Sequence, residues 1–116
     1  MIRFRIPYPK NKREWSEYGL NKYYAGKHWA KRKEDAIYWH WLVRSYAPAT
    51  LVMRGEVQLT FRWNDKLDLS NHAVMAKMIE DSLKGYIIQD DNRRYVKRIV
   101  HEWHDSDYIE VIIDAI

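Results

Sequence analysis

Between Gly55 and Gly85 the apolar period changes once, and that change constrains the fold more than any other feature of the chain. Val57, Leu59, Phe61 and Trp63 alternate with Gln58, Thr60 and Arg62, the repeat of a strand with one buried face. The polar turn from Asn64 to Leu69 follows at once. Val74, Met75, Met78, Ile79 and Leu83 then recur at helical spacing, predicting a helix from about Asn71 to Lys84 with Gly85 at its stop position. An acidic turn is thus held between two elements whose apolar faces need the same core.

The remaining elements follow from simpler signals. Ile2, Phe4 and Ile6 alternate with arginines as a half-buried strand that Pro7 and Pro9 end. Residues 10–28 read as a loop in which Lys10, Lys12, Arg13, Lys22 and Lys27 are interleaved with Trp15, Tyr18, Tyr23 and Tyr24. Such a mixture grips phosphates and stacks bases, unless the aromatics fold back onto the core. A helix is expected from about Trp29 to Tyr46, stopped by Pro48, with Ala30, Ile37 and Trp41 on its core stripe and Tyr38 and Trp39 widening it. Tyr86, Ile87 and Ile88 lead into Asp90 and Asp91. Residues 94–103 and 108–114 read as two strands joined at His104–Asp107 in a hairpin. The fold class is α+β: one domain over residues 1–116, a mixed sheet of about four strands and two main helices, ordered strand-helix-strand-helix-strand-strand.

Composition narrows the class of function. With 47% hydrophobic residues, four glycines and three prolines, the chain builds one core and is not a disordered tract. No apolar run approaches the ~20 residues of a membrane span, and no signal-peptide block opens the chain. The absence of cysteine excludes disulfides, thiolate metal sites and cysteine nucleophiles, and it fits a cytoplasmic address. Charge is split: residues 1–54 hold 12 Lys/Arg against 4 Asp/Glu, and residues 55–116 hold 8 against 12. A basic half suits phosphate and an acidic half suits a metal ion.

Asp68, Asp90 and Asp91 stand at the ends of elements, where side chains converge. Carboxylate oxygens suit Mg²⁺ or Mn²⁺, hard cations that keep several waters. The residues therefore point to a metal-dependent nuclease. Lys77 falls on the polar side of the second helix, where it faces a phosphate or else pairs with Asp81 at i,i+4. Lys27, Lys31, Arg32 and Lys33 crowd the start of the first helix against its dipole, which implies a bound anion or pairing with Glu34 and Asp35. His72 is expected as a solvated helix histidine, with phosphate contact as the alternative. Asn71 orients the carboxylate turn. His101 and His104 form an HxxH on a strand, where they point to opposite faces and do not make a zinc site.

The same residues carry a resemblance to a family. Asp68-Leu69-Ser70-Asn71, then Lys77-Met78-Ile79-Glu80-Asp81-Ser82-Leu83, then Asp90-Asp91 resemble the D-x-D-N, K-x-x-x-D-x-L and D-D pattern of the RusA-type Holliday junction resolvases, small dimeric endonucleases of phages and prophages. Asn21, Tyr23 and Tyr24 extend the likeness to the N-terminal part. The resemblance implies a homodimer that resolves four-way DNA junctions in recombination and repair with Mg²⁺ as cofactor, Mn²⁺ being the substitute. It implies catalytic roles for Asp68, Asp91 and Lys77 and a metal set of Asp68, Asp91, Asp90 and Ser70, while the basic loop and helix start, with Asn71, supply a DNA-facing set of Lys22, Lys27, Lys31, Arg32, Lys33 and Asn71. The second acid of D-x-D-N is Ser70 here. Serine keeps the helix cap expected at that position, and the missing oxygen falls to Asp90, Asp65 or water. A catalytically weakened protein that binds branched DNA is the alternative this departure raises.

Overall fold

The alternating segment becomes the third strand of a four-stranded mixed sheet in the computed structural model, which describes residues 1–8, 18, 19 and 29–116. Strand β1 is Ile2–Pro7, helix α1 Trp29–Tyr46, β2 Val57–Trp63, helix α2 Ala73–Leu83, β3 Val96–Trp103 and β4 Tyr108–Ala115. A single 3-10 turn, Leu69–His72, leads into α2. The strands lie in the order β1-β4-β2-β3. This is the single α+β domain that the sequence pattern implies, in the expected element order.

Register explains the core. Phe4 of β1 faces Val111 of β4, which faces Phe61 of β2, which faces His101 of β3. Side chains alternate along each strand, so this row and its neighbours two residues away share one face. On that face Ile6, Leu59, Phe61, Trp63, Ile109, Val111 and Ile113 are fully buried. They form one cluster with Trp39, Leu42 and Val43 of α1 and with Val74, Met75, Ile79 and Leu83 of α2. Cover runs out at β3, the sheet edge, where Ile99 and Trp103 of the same face stay 43% and 45% exposed.

Two expectations about packing are corrected. The core stripe of α1 is Asp35, Trp39, Leu42 and Val43, whereas Ile37 and Trp41 are 63% and 66% exposed. Trp39 and Trp41 flank His40, so two aromatic stripes of similar apolarity run along one helix. Tyr18 decides between them: its ring meets Trp39 edge-on at 5.4 Å, and its hydroxyl lies 3.4 Å from Asp35 Oδ1. Tyr18 thus folds back onto the core.

The second correction concerns the expected hairpin. β3 and β4 are not paired, because β2 lies between them, parallel to β3 and antiparallel to β4. Residues 104–107 step across the end of β2, a gap of about 10 Å at the usual strand spacing. They are fastened there by His104 N donating to Trp63 O (3.0 Å) and Asn64 Nδ2 donating to Ser106 O (3.0 Å). The reason is β2-α2-β3, in which the helix returns the chain to start a parallel neighbour. The slot beside the other edge of β2 is left to β4.

The end of α2 aims the chain toward the second acidic motif. Gly85 adopts φ 71°, a left-handed value that favours glycine. Tyr86 N and Ile87 N then donate to Leu83 O at 3.0 and 2.9 Å. The chain passes under α1, where Arg44 donates to Ser82 O (3.1 Å) and lies 4.7 Å over the Tyr86 ring.

Candidate active site

Two turns carry the ionisable residues, and they are built differently. In the first, residues 64–72, Asp65 is the hub. Its carboxylate accepts from Leu67 N (3.0 Å), Tyr8 Oη (2.8 Å) and His72 Nε2 (2.8 Å). Tyr8 Oη in turn accepts from Asn64 N at 2.7 Å, and His72 Nδ1 donates to Leu69 O at 2.8 Å. Both ring nitrogens of His72 are therefore engaged within the fold. The side chains of His72 and Asp65 are fully buried. Burial would raise the Asp65 pKa, but the hydrogen bonds from His72 and Tyr8 outweigh it and hold the carboxyl below its ordinary value. Burial, with the Asp65 charge adding to it, pushes the Tyr8 hydroxyl far above the usual tyrosine range.

Aromatic packing locks this network. The Trp63 ring stacks on His72 with centroids 4.3 Å apart, and Trp103 meets His72 edge-on at 5.4 Å. Trp63 Nε1 donates to His101 Nδ1 at 3.0 Å, which leaves the His101 proton on Nε2. Burial, and then the nearby His72, lower the His101 pKa below its ordinary value. None of this is a local sequence signal. His72 is buried rather than solvated, and Asp65 is fully engaged, so it is not a spare oxygen for the acid that Ser70 replaces.

Asp68 and Ser70 are carried on the outside of the same turn, both exposed. Asp68 sits at the N-cap of the 3-10 turn with extended backbone (φ −63°, ψ 149°) and makes no side-chain capping bond. Ser70 lies inside that turn, and the N-cap of α2 is His72. The expected serine cap is therefore corrected: the 3-10 turn moves the helix start past residue 70. Asn71 is half-buried, its N–H donating to Asp68 O at 2.9 Å.

The second turn is open. Lys77, exposed on α2, donates to Asp91 Oδ2 at 2.8 Å and lies 3.0 Å from Asp81 Oδ1. The helical pair with Asp81 that the sequence offers is formed, and a long-range contact with Asp91 is added to it. Asp91 N donates to Asp90 Oδ1 at 2.8 Å, so the two aspartates form one rigid corner. Lys84 Nζ stands 3.7 Å from each of them. The Lys77 hydrogen bond holds Asp91 far below the usual carboxylate range. The same contact raises Lys77 above its ordinary value, so the side chain stays a cation and is no base.

Glu80, which the sequence does not single out, is buried one helical turn from Lys77. Burial raises its pKa, and the charges of Asp91 and Asp81 add to that rise while Lys77 opposes it. Among the described residues it has neither a hydrogen-bond nor an ion-pair partner.

The donor set limits which metal ion would fit. Among the described residues, no three His, Asp or Glu side chains stand together as a metal-binding group, so Asp68, Asp90 and Asp91 do not form a shared cage. A Mg²⁺ ion that draws its other ligands from water and phosphate needs one or two carboxylates. The Asp90–Asp91 corner offers that number.

Of the cations expected to face DNA, Lys31 is shared between Glu34 (3.7 Å) and Asp35 (3.8 Å), the pairing alternative. Lys33 is exposed and Arg32 half-buried, while Lys22 and Lys27 lie outside the described residues, as do Asn21, Tyr23 and Tyr24. His101 lies on β3 and His104 just past its end, so the two are not on one strand as expected, and His104 Nε2 donates to Tyr108 O at 2.6 Å. No described helix is long and apolar enough to cross a membrane.

Comparison of the chain with family models, with curated proteins and with solved structures returns no match.

Proposed function

We propose that this protein is a Mg²⁺-dependent endonuclease that cuts branched DNA at four-way junctions, working as a homodimer. The observation that carries the reading is the contact between Lys77 and Asp91, 14 residues apart and 2.8 Å from atom to atom. A lysine held charged beside a carboxylate held charged is the pairing that phosphodiester cleavage uses: one group meets anionic oxygen, the other holds a hard cation. The resemblance of the Asp68, Lys77 and Asp90-Asp91 motifs to RusA-type resolvases supports the substrate class.

In this reading Asp91, with Asp90 beside it, would hold the metal ion, and Asp68 is carried on the other acidic turn. Bound there, Mg²⁺ supplies a water of lowered pKa and a counter-charge for the phosphate. Lys77 donates to the phosphate oxygen on which charge develops, exchanging its hydrogen bond to Asp91 or Asp81 for it. The rigid turn 64–72 fixes the position of Asp68, because every polar side chain beneath it is already engaged. Two sites related by a two-fold axis match the two-fold symmetry of a four-way junction.

A second reading has its own observations. Ser70 removes one acid, and no three-ligand group is assembled among the described residues. Both favour a protein that binds branched DNA and cuts it weakly or not at all.

One experiment separates the two. A synthetic mobile four-way junction is incubated with wild type and with Asp91→Asn across a Mg²⁺ titration, with binding measured separately in Ca²⁺. Paired incisions by wild type, lost in Asp91→Asn while binding persists, support the nuclease. Binding without incision at any Mg²⁺ concentration supports the second reading. A monomer by sedimentation, both alone and on the junction, sinks the dimer.

A further inference from the structure

Immediately after Asp91 the chain changes sign: residues 92–98 carry Arg93, Arg94, Lys97 and Arg98 and no acid. This basic run lies within the acidic half of the chain, so charge totals conceal it. Its first part is a built turn. Asn92 Oδ1 accepts from Arg94 N at 3.0 Å, and the Asn92 carbonyl accepts from Tyr95 N and Val96 N, each at 3.0 Å. Val57 N then donates to Tyr95 O at 2.7 Å, fastening the turn to β2. Arg93 and Arg94, both exposed, are therefore presented from a fixed backbone next to the Asp90–Asp91 corner.

The other cations near this corner are already shared. Lys77 is paired with Asp91 and Asp81, and Lys84 stands beside Asp90 and Asp91. Lys97 lies 3.7 Å from Glu56, and Arg98 donates to Gln58 Oε1 at 3.1 Å. Arg93 and Arg94 have no carboxylate within ion-pair distance among the described residues. Arg94 lies 5.5 Å over the Tyr95 ring, a contact that orients the guanidinium without neutralising it. A nucleic-acid strand brought to Lys77 meets Asp81, Asp90 and Asp91 as repelling charges, so its approach needs cations that are not already paired. Arginine suits the task, because its planar fork matches two phosphate oxygens at once.

We propose that Arg93 and Arg94 are the phosphate-gripping surface that guides a DNA strand to the Lys77–Asp91 site. The proposal rests on the nuclease reading for its substrate, and its test does not use cleavage.

The probe is a fluorescent synthetic four-way junction, bound in Ca²⁺ at salt concentrations from about 50 to about 200 mM. Wild type is compared with Arg93→Ala/Arg94→Ala and with Arg93→Lys/Arg94→Lys. Two lost phosphate contacts flatten the slope of log K against log salt by about 1.8, at ~0.9 per phosphate, while the lysine pair keeps the wild-type slope. Arg93→Ala alone, which leaves the Tyr95 contact in place, flattens it by about 0.9. Thermal unfolding in parallel checks that the turn survives. An unchanged slope in the double alanine variant overturns the proposal and leaves the nuclease reading standing. Wild type that fails to bind the junction at the lowest salt overturns both. A flattened slope in a protein that never cuts DNA upholds the surface and sinks the nuclease.

Discussion

The two acidic turns hold similar residues and do opposite things with them. Around Asp65 the buried Asp65 and His72 side chains are engaged within the fold: Tyr8, Leu67 N and Leu69 O close the network. Around Asp91 the cations are at the surface, Lys77 and Lys84 being more than half exposed, while the Asp91 side chain is 13% exposed. A buried pair is costly to break because the surviving charge cannot reach water. A surface pair is cheap to break because water replaces the lost partner. The first turn is therefore an anchor. The second can release the exposed Lys77 to a phosphate while Lys84 stays beside Asp91.

Single substitutions test that contrast. Asp65→Ala or His72→Ala strands the other member of the buried pair and lowers stability by about 3–5 kcal/mol, read as a shift of the urea midpoint. Lys77→Ala changes stability by no more than about 1 kcal/mol in the same assay. If both turns respond alike, the distinction between anchor and site is lost.

Activity reverses the ranking. Lys77→Ala lowers the junction-cleavage rate by roughly 10²–10³-fold while its unfolding midpoint stays near wild type, the cost of losing one preorganised charge at a reacting phosphate. A variant that cuts at the wild-type rate returns Lys77 to its helical pair with Asp81, worth about 0.2–0.5 kcal/mol.

The smallest effect concerns pH, where Asp65 and Glu80 differ in sign. The Asp65 pKa is depressed from its ordinary 3.8, so the stability it contributes is present above that pH and is lost as pH falls through the lowered value. The Glu80 pKa is raised from 4.5, so the folded state binds its proton more tightly than the unfolded chain does. Its contribution is therefore fully present below pH 4.5 and declines as pH rises through the raised value. Glu80→Gln removes that decline and flattens the stability curve from pH 4.5 upward, whereas Asp65→Asn removes the Asp65 share of the acid limb below pH 3.8 and leaves that of Asp91. Urea unfolding across pH measures both, and a Glu80→Gln curve parallel to wild type would show that the carboxyl is not penalised by burial.

The candidate site was partly legible in the chain. The Asp68, Lys77 and Asp90-Asp91 positions stand out because carboxylates at element ends and a lysine on a polar helix face are local patterns. The engagement of Asp65 by Tyr8, 57 residues away, leaves no local pattern. Nor does Glu80, whose burial depends on how α2 lies against the rest of the domain. Arg93 and Arg94 were visible as residues, but a half-chain charge sum that came out acidic hid them.

Pro48 marked the end of α1, and period alone fixed β2 and the apolar stripe of α2, because alternation and helical repeat are properties of neighbours in sequence. It also fixed the element order and the fold class. Tertiary structure decided what needed a third party. Tyr18 selected Trp39 over Trp41 as the buried ring, since the two stripes are equivalent until something packs on one of them. β2 separated β3 from β4, since a short polar turn joins adjacent strands and strands one apart equally well at the level of sequence. The buried Asp65–His72 pair was decided in the same way: a carboxylate and an imidazole read as solvent-facing until Trp63, Trp103 and Tyr8 close over them and exclude water.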